Sequence, residues 1–260
     1  MSDESEAAAR RQEAFKKTII DIMLRHLRGG NMQSVTEIKF APSRLVTAVE
    51  TAMRSVYLTD EIDTSSGIYA VEGMSGKRYR LFINSLIAAL GDTSYMEVGS
   101  YKGSTLCAAI AGNSIRAVAI DDWTMFGGPK DECIANVALF RSPENFPEII
   151  QQEFQTVDYA AMAPIEIYFY DGPHDSIDQY EGIMLALPAL TDEFILIIDD
   201  WNMEPVRKGT KSAIRQAKLD ILMAIEITTM PNACFPLETQ TGKDSDWHNG
   251  YYIAVMRKPR

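Results

Sequence analysis

A chain of 260 residues is long enough for one large domain, or one domain with an appendage, and can bury a substantial core without disulfides. Its 25 basic and 36 acidic residues leave a net charge of −11, which argues against a nucleic-acid partner, because phosphate binding needs a basic face, and against an anionic membrane surface. With 46% hydrophobic and 23% charged residues the composition is that of a soluble globular protein, and a small neutral or cationic substrate fits the charge better.

The opening MSDESEAAARRQEAF is polar and has no apolar h-region, so it does not read as a secretory signal. No run approaches the ~20 apolar residues of a membrane span. The expected location is the cytoplasm. Cys107, Cys133 and Cys234 show no CxxC spacing and read as free thiols in a reducing compartment. Cys107 reads as a packing residue, since a free cysteine behaves mainly as a small hydrophobe.

Residues 6–28 predict a helix with Phe15, Ile19, Ile22, Met23 and Leu27 on one face, closed by Gly29 and Gly30. That face could serve a subunit interface, giving a homo-oligomer, or pack on its own sheet. A second helix is expected over 43–57, capped by Ser43, with Leu45, Val46, Val49, Met53 and Val56 as its stripe. SSGIYAVEGMSGKRYR, with Gly67, Gly73 and Gly76, reads as a loop. A third helix over 78–90 gathers Tyr79, Phe82, Ile83, Leu86, Ile87 and Leu90, and Gly91 ends it.

From Ser94 the pattern changes to short apolar strands alternating with helical segments. Strands are expected at 95–98, 117–120, 149–154, 165–170 and 194–198, and helices at 104–111, 130–140, 177–187 and 206–222. Such alternation implies a parallel sheet covered on both faces. Residues 224–229 and 250–256 are two more strand candidates with no helix between them, which suggests an antiparallel pair.

The chemistry is expected at the strand ends, because ligands of open parallel α/β sheets bind there. The first strand runs into Glu97-x-Gly99-x-x-x-Gly103. A dinucleotide turn reads GxGxxG. Here there are two glycines with an acid before the first, an arrangement that repels a pyrophosphate and suits an amino-bearing ligand. The second strand ends on Asp121, where a carboxylate can accept both hydroxyls of a ribose. An adenosine-type ligand without phosphates and with a positive end fits both features, and S-adenosylmethionine answers that description. The plain alternative is a tight turn with a surface acid.

Two acidic clusters stand at later strand ends. IYFYDGPH puts Asp171 at one tip with His174 three residues on, and ILIIDDWN puts Asp199 and Asp200 at the next. Three carboxylates side by side call for a cation. Oxygen ligands suit a hard divalent ion such as Mg²⁺, with Asn202 as an outer partner. Such an ion would lower the pKa of a substrate hydroxyl, and His174 would take the proton. Paired aspartates after a strand are also common helix caps. His26 and His248 read as surface or packing residues.

EVGSYKGST, AIDDW, DGPH and IIDDWN, in that order over about residues 70–215, resemble a class I S-adenosylmethionine-dependent methyltransferase. More narrowly they resemble the Mg²⁺-dependent group of macrolide-sugar O-methyltransferases and cephalosporin-hydroxylase-like proteins. The resemblance implies an α/β, Rossmann-like, doubly wound sheet of seven mostly parallel strands with an antiparallel C-terminal strand, preceded by a helical extension. It divides the chain into an extension and lid, 1–77, and a methyltransferase domain, 78–260.

It implies that Glu97, Gly99, Ser100 and Gly103 hold the methionine part of the cofactor. Asp121 would hold the ribose, and Glu153, after the third strand, would lie near the adenine. Asp171, Asp199 and Asp200 would be metal ligands, Asp199 standing where some relatives carry glutamate, and His174 the general base. Tyr69, Met74, Lys77 and Arg78 would help close the pocket. The implied reaction is O-methylation of a small-molecule hydroxyl. A nicotinamide-dependent oxidoreductase and a catalytically silent adenosylmethionine-fold binding protein are the alternatives.

Overall fold

The computed structural model describes Arg10, Ala14 and residues 43–65, 67–142, 146–229 and 244–259. The helix expected over 6–28, His26 and Cys234 lie outside those residues, Arg10 and Ala14 apart. The described chain holds six α-helices and seven strands. They are α1 (Arg44–Leu58), α2 (Lys77–Leu90), β1 (Ser94–Val98), α3 (Ser104–Ile110), β2 (Arg116–Asp121), α4 (Lys130–Phe140), β3 (Glu148–Gln151), β4 (Ile165–Tyr170), α5 (Ser176–Ala186), β5 (Leu190–Ile198), α6 (Glu204–Gln216), β6 (Asp220–Ile227) and β7 (Tyr251–Arg257).

The strands form one sheet in the order β3-β2-β1-β4-β5-β7-β6. β1 to β5 run parallel, and β7 is inserted antiparallel between β5 and β6. The expected seven-stranded, mostly parallel sheet with a reversed final strand is therefore the observed one. Side chains alternate between its faces. Tyr95, Ala117, Ala119, Ile167, Phe169, Ile195 and Ile197 point into one apolar layer with α1, α2 and α3. Met96, Val98, Val118, Ile120, Tyr168, Leu196 and Ile198 point into the other, with α5 and α6. Helix α1 thus belongs to the same core as the sheet.

Local signals account for most boundaries. Ser43 caps α1, its Oγ accepting the N–H groups of Leu45 and Val46 at 3.0 and 3.3 Å. Gly91 ends α2 at φ 72°, with its N–H on Ile87 O. Two expectations are corrected. The helix expected over 206–222 ends at Gln216, Lys218 turns left-handed at φ 53°, and Leu222 lies in β6. There Asp220 to Ile227 pair with β7, and the ladder outcompetes helical continuation. The strand expected over 149–154 stops at Gln151, and Phe154 enters a 3₁₀ turn that packs its ring edge-on against Tyr170 at 5.6 Å.

Order along the sheet reverses between β1 and β4, the neighbours on either side of a crossover. That reversal opens the crevice where ligands bind in such sheets. The glycine turn leaves β1 and Asp171 leaves β4 at that point.

Candidate active site

The glycine turn is shaped by its neighbours. Gly99 has φ 85°, and a Cβ there would fall inside the Asp171 carbonyl. Its freedom from a side chain serves the close approach of the chain leaving β4, beside any ligand contact. Gly103, at φ 80°, lets α3 begin against Cys133, whose Sγ would lie 3.0 Å from an added Cβ. Tyr101 is left-handed between them at φ 48°.

Asp121 closes the turn from the side. Its Oδ2 accepts the N–H groups of Ser100 and Tyr101, both at 2.8 Å, and its Oδ1 accepts the Trp123 N–H at 2.7 Å. The predicted ribose acid is therefore also the clamp that holds the turn. Glu153 is exposed just beyond β3, at the N-terminus of the 3₁₀ turn.

Glu97 is wholly buried, paired in register with Ala119 and Phe169 on the neighbouring strands. Tyr95 donates its hydroxyl to Glu97 Oε2 at 2.7 Å. Oε1 has no hydrogen-bond partner, nor has the Ser100 Oγ. Burial pushes the Glu97 carboxyl up to about 7, against the nearby hydroxyls of Tyr95, Ser100 and Thr105, which favour its charge. A buried acceptor without a donor is costly, and here it stands at the foot of the turn.

The acidic centre is one strand away. Asp171 N–H donates to Val98 O and Asp199 N–H to Tyr170 O, so the tips of β1, β4 and β5 are stitched together. His174 Nε2 lies 2.8 Å from Asp200 Oδ2 and 3.7 Å from Asp171 Oδ1. One ligand atom from each of Asp171, His174 and Asp200 falls within 4.8 Å of the others. Asp199 is not one of that trio, but its carboxyl lies close enough to act on Asp171. It is buried, and its Oδ1 accepts the N–H of Asp200 at 2.7 Å.

The charges sort themselves accordingly. Burial raises Asp171 to about 6, the Asp200 charge adding to it and the His174 hydrogen bond relieving it. Burial and the Asp171 and Asp200 charges push Asp199 well above the carboxylate range. Burial opposes a charged His174, yet its bonds to Asp171 and Asp200 lift it to about 11. Asp200 is buried as well, and His174 and Asn249 nevertheless hold it below the ordinary range. The contacts of His174 and Asp200 with each other thus favour charge on both, while burial disfavours it on Asp171 and Asp199.

Other expected residues have different settings. Arg78 is buried, donates to Val56 O and Thr59 O and forms an ion pair with the Asp246 carboxylate, so it ties elements together inside the fold. Lys77 reaches the same Asp246 at 3.4 Å. Met74 is exposed and Tyr69 half-buried on the loop before α2. That loop is held by Arg80, which sequence reading missed. Its guanidinium donates to Ser75 O, Ile68 O, Val71 O and Gly73 O, and Ser75 Oγ meets Ser104 Oγ at 3.0 Å. Asn202 bonds Thr229 rather than the acids. His248 is buried near Asp200, so its packing role is that of a residue beside the site. Cys107 and Cys133 are buried free thiols, and burial pushes both up, Cys133 to about 12.

No family model matches the sequence, and no curated protein matches it. Solved structures do match. An O-methyltransferase from Bacillus cereus in complex with SAH is 13% identical with a TM-score of 0.50, over 81% of this chain and 91% of that one. The O-methyltransferase TomG from Streptomyces achromogenes, involved in tomaymycin synthesis and in complex with SAM, is 15% identical with a TM-score of 0.48, over 86% and 92%. TrmN from Thermus thermophilus is 12% identical with a TM-score of 0.44, over 69% of this chain and 49% of that one, so this chain spans about half its length. The Bacillus cereus structure shares the Rossmann-like fold of this chain, a mixed seven-stranded sheet flanked by helices. Among the described residues no helix is long and apolar enough to cross a membrane.

Proposed function

We propose that this chain is an S-adenosylmethionine-dependent methyltransferase that O-methylates a hydroxyl of a small molecule. The reading rests on one juxtaposition, a glycine turn with an unpartnered buried carboxylate oxygen set one strand from a centre of two acids and a histidine. Glu97 Oε1 and Ser100 Oγ fit the amino-acid head of the cofactor, because a buried acceptor and a hydroxyl await partners there. When bound, adenosylmethionine supplies an electrophilic methyl group on a sulfonium. The carboxylate oxygens of Asp171 and Asp200, within 4.8 Å of one another, also fit a hard divalent ion such as Mg²⁺. Asp171 and Asp200 would hold it, with Asp199 beside them, and its chemistry would be to acidify and orient the acceptor hydroxyl, leaving the His174 nitrogen free to act as a base.

The residues then divide the work. Glu97 fixes the ammonium of the cofactor, and Asp121 holds the turn that carries Ser100. Asp171 and Asp200 orient the acceptor oxygen for in-line attack, which is chiefly a matter of proximity. His174 would take the acceptor proton at Nε2 from its unprotonated form. In such a transfer an O–C bond would form as the donor's C–S bond broke, with the acceptor proton carried by His174.

The test is a melting series with adenosylmethionine, adenosylhomocysteine and NAD, each with and without Mg²⁺. A ligand at 100 times its Kd adds about 2.7 kcal/mol, or roughly 5–10 °C for a chain of this size. Stabilisation by adenosylhomocysteine and not by NAD is expected. Stabilisation by NAD alone would replace this reading with the oxidoreductase one.

A further inference from the structure

The segment 245–250 contributes no residue to the chemistry above, yet it runs from the head of α2 to the acidic centre. At one end the N–H groups of Lys77 and Arg78 donate to Ser245 O and Asp246 O at 2.9 and 3.0 Å. The Asp246 carboxylate faces Arg78 Nε at 3.1 Å and Lys77 Nζ at 3.4 Å. A Cβ at Gly76 would fall inside the Asp246 carbonyl, so the two strands of chain are pressed together. Trp247 is buried against the rings of Tyr57, Phe82 and Tyr251.

Beyond Trp247 the chain is bent on purpose. His248 is left-handed at φ 41°, unusual for a residue with a Cβ. Its N–H is fixed by Ser245 Oγ at 3.1 Å and its carbonyl by Thr229 Oγ1 at 2.7 Å. The bend delivers Asn249. Its carbonyl accepts the Asn202 N–H at 2.9 Å, and its Nδ2 donates to Asp200 Oδ1 at 2.7 Å. Asn249 is 2% and Asp200 6% exposed, so water does not compete for that bond.

The two oxygens of Asp200 are thus claimed by different parts of the fold, Oδ2 by His174 and Oδ1 by Asn249. Asp200 itself is left-handed at φ 54°, so its backbone alone does not settle where the carboxylate points. A carboxylate gripped at both oxygens cannot rotate without breaking one bond.

We propose that Asn249 is a positioning residue that fixes the plane of the Asp200 carboxylate, with Asp246 anchoring its segment to the head of α2. The inference rests on the reading of Asp171, His174 and Asp200 as the reaction centre. Outer partners of this kind are worth about 10–100-fold in metal affinity or activity.

The experiment compares the full chain with Asn249→Ala and Asp246→Asn. Mn²⁺ affinity is read by calorimetry, the His174 imidazole N–H signal by NMR without metal, and adenosylhomocysteine affinity alongside. In Asn249→Ala, Mn²⁺ should bind about 10–100-fold more weakly, the His174 signal should shift or vanish, and adenosylhomocysteine should bind as before. Asp246→Asn should move the same readouts in the same direction by less. Unchanged Mn²⁺ affinity and an unchanged His174 signal would overturn the proposal, as would an equal loss of adenosylhomocysteine binding, which marks general damage. If the unaltered chain binds no Mn²⁺, the metal reading fails while the His174 signal still decides the role of Asn249. If Asn249→Ala does not fold, Asp246→Asn decides by the same readouts.

Discussion

The two halves of the candidate site, the glycine turn after β1 and the acidic centre after β4 and β5, are built by opposite means. The turn is made of backbone: positive φ angles at Gly99, Tyr101 and Gly103, and one side chain, Asp121, that receives main-chain N–H groups. The acidic centre is made of side-chain charge, with His174 paired to two carboxylates and Asn249 steadying one of them. A backbone site tolerates few substitutions at its glycines and holds a ligand by shape. A charge site keeps its shape under substitution and loses its chemistry. The two should therefore fail differently.

The largest expected effect separates chemistry from binding. His174→Ala should cut turnover by about 10²–10⁴-fold, the usual worth of a positioned acid or base, while the Kd for adenosylhomocysteine stays within about twofold by calorimetry, less than 0.5 kcal/mol. Equal loss of both would join the two halves into one unit. Gly99→Ala should do the reverse and damage the frame. It puts a Cβ into the Asp171 carbonyl at φ 85°, and a urea titration should show a loss of about 3 kcal/mol or more, with cofactor binding lost in step.

Tyr95→Phe is a milder cut on the turn side. It deletes the donor to Glu97 Oε2, and a loss of about 1–3 kcal/mol is expected from a buried bond to a carboxylate. Thermal unfolding with and without adenosylhomocysteine measures it.

The smallest effect is a dependence on pH that the two halves express in different windows. Glu97 has a raised pKa, near 7 against an ordinary value near 4.5, so its contribution to stability is present below about 4.5 and is lost as pH rises through about 7. His174 is also raised, from about 6.5 to about 11, so its contribution is full below about 6.5 and is lost on the way to 11. Affinity for a cofactor with an ammonium group should rise between pH 6 and 8 as Glu97 ionises. Glu97→Gln should flatten that rise and leave the alkaline loss of stability in place. A rise that persists in Glu97→Gln would move the titrating group elsewhere.

Much of the fold was readable because its signals are local. The apolar run of β1, the glycines after it and the acids after β2, β4 and β5 each sit within a few residues of a strand end, and parallel pairing brings strand ends together. Helix α6 shows the limit. In the sequence Leu219, Ile221 and Leu222 extend the expected helix, and the ladder with β7 instead places Ile221 and Leu222 in β6.

Length, charge and the strand–helix rhythm determined the class of sheet and the edge where chemistry gathers, since periodicity is a property of neighbouring residues. Tertiary structure alone decided that Gly99 makes room for Asp171, that Arg78 faces Asp246 inside the fold, and that Asn249 reaches Asp200. Those contacts join residues far apart in the chain. Their worth comes from burial and exact distance, and a linear pattern of residue types carries neither.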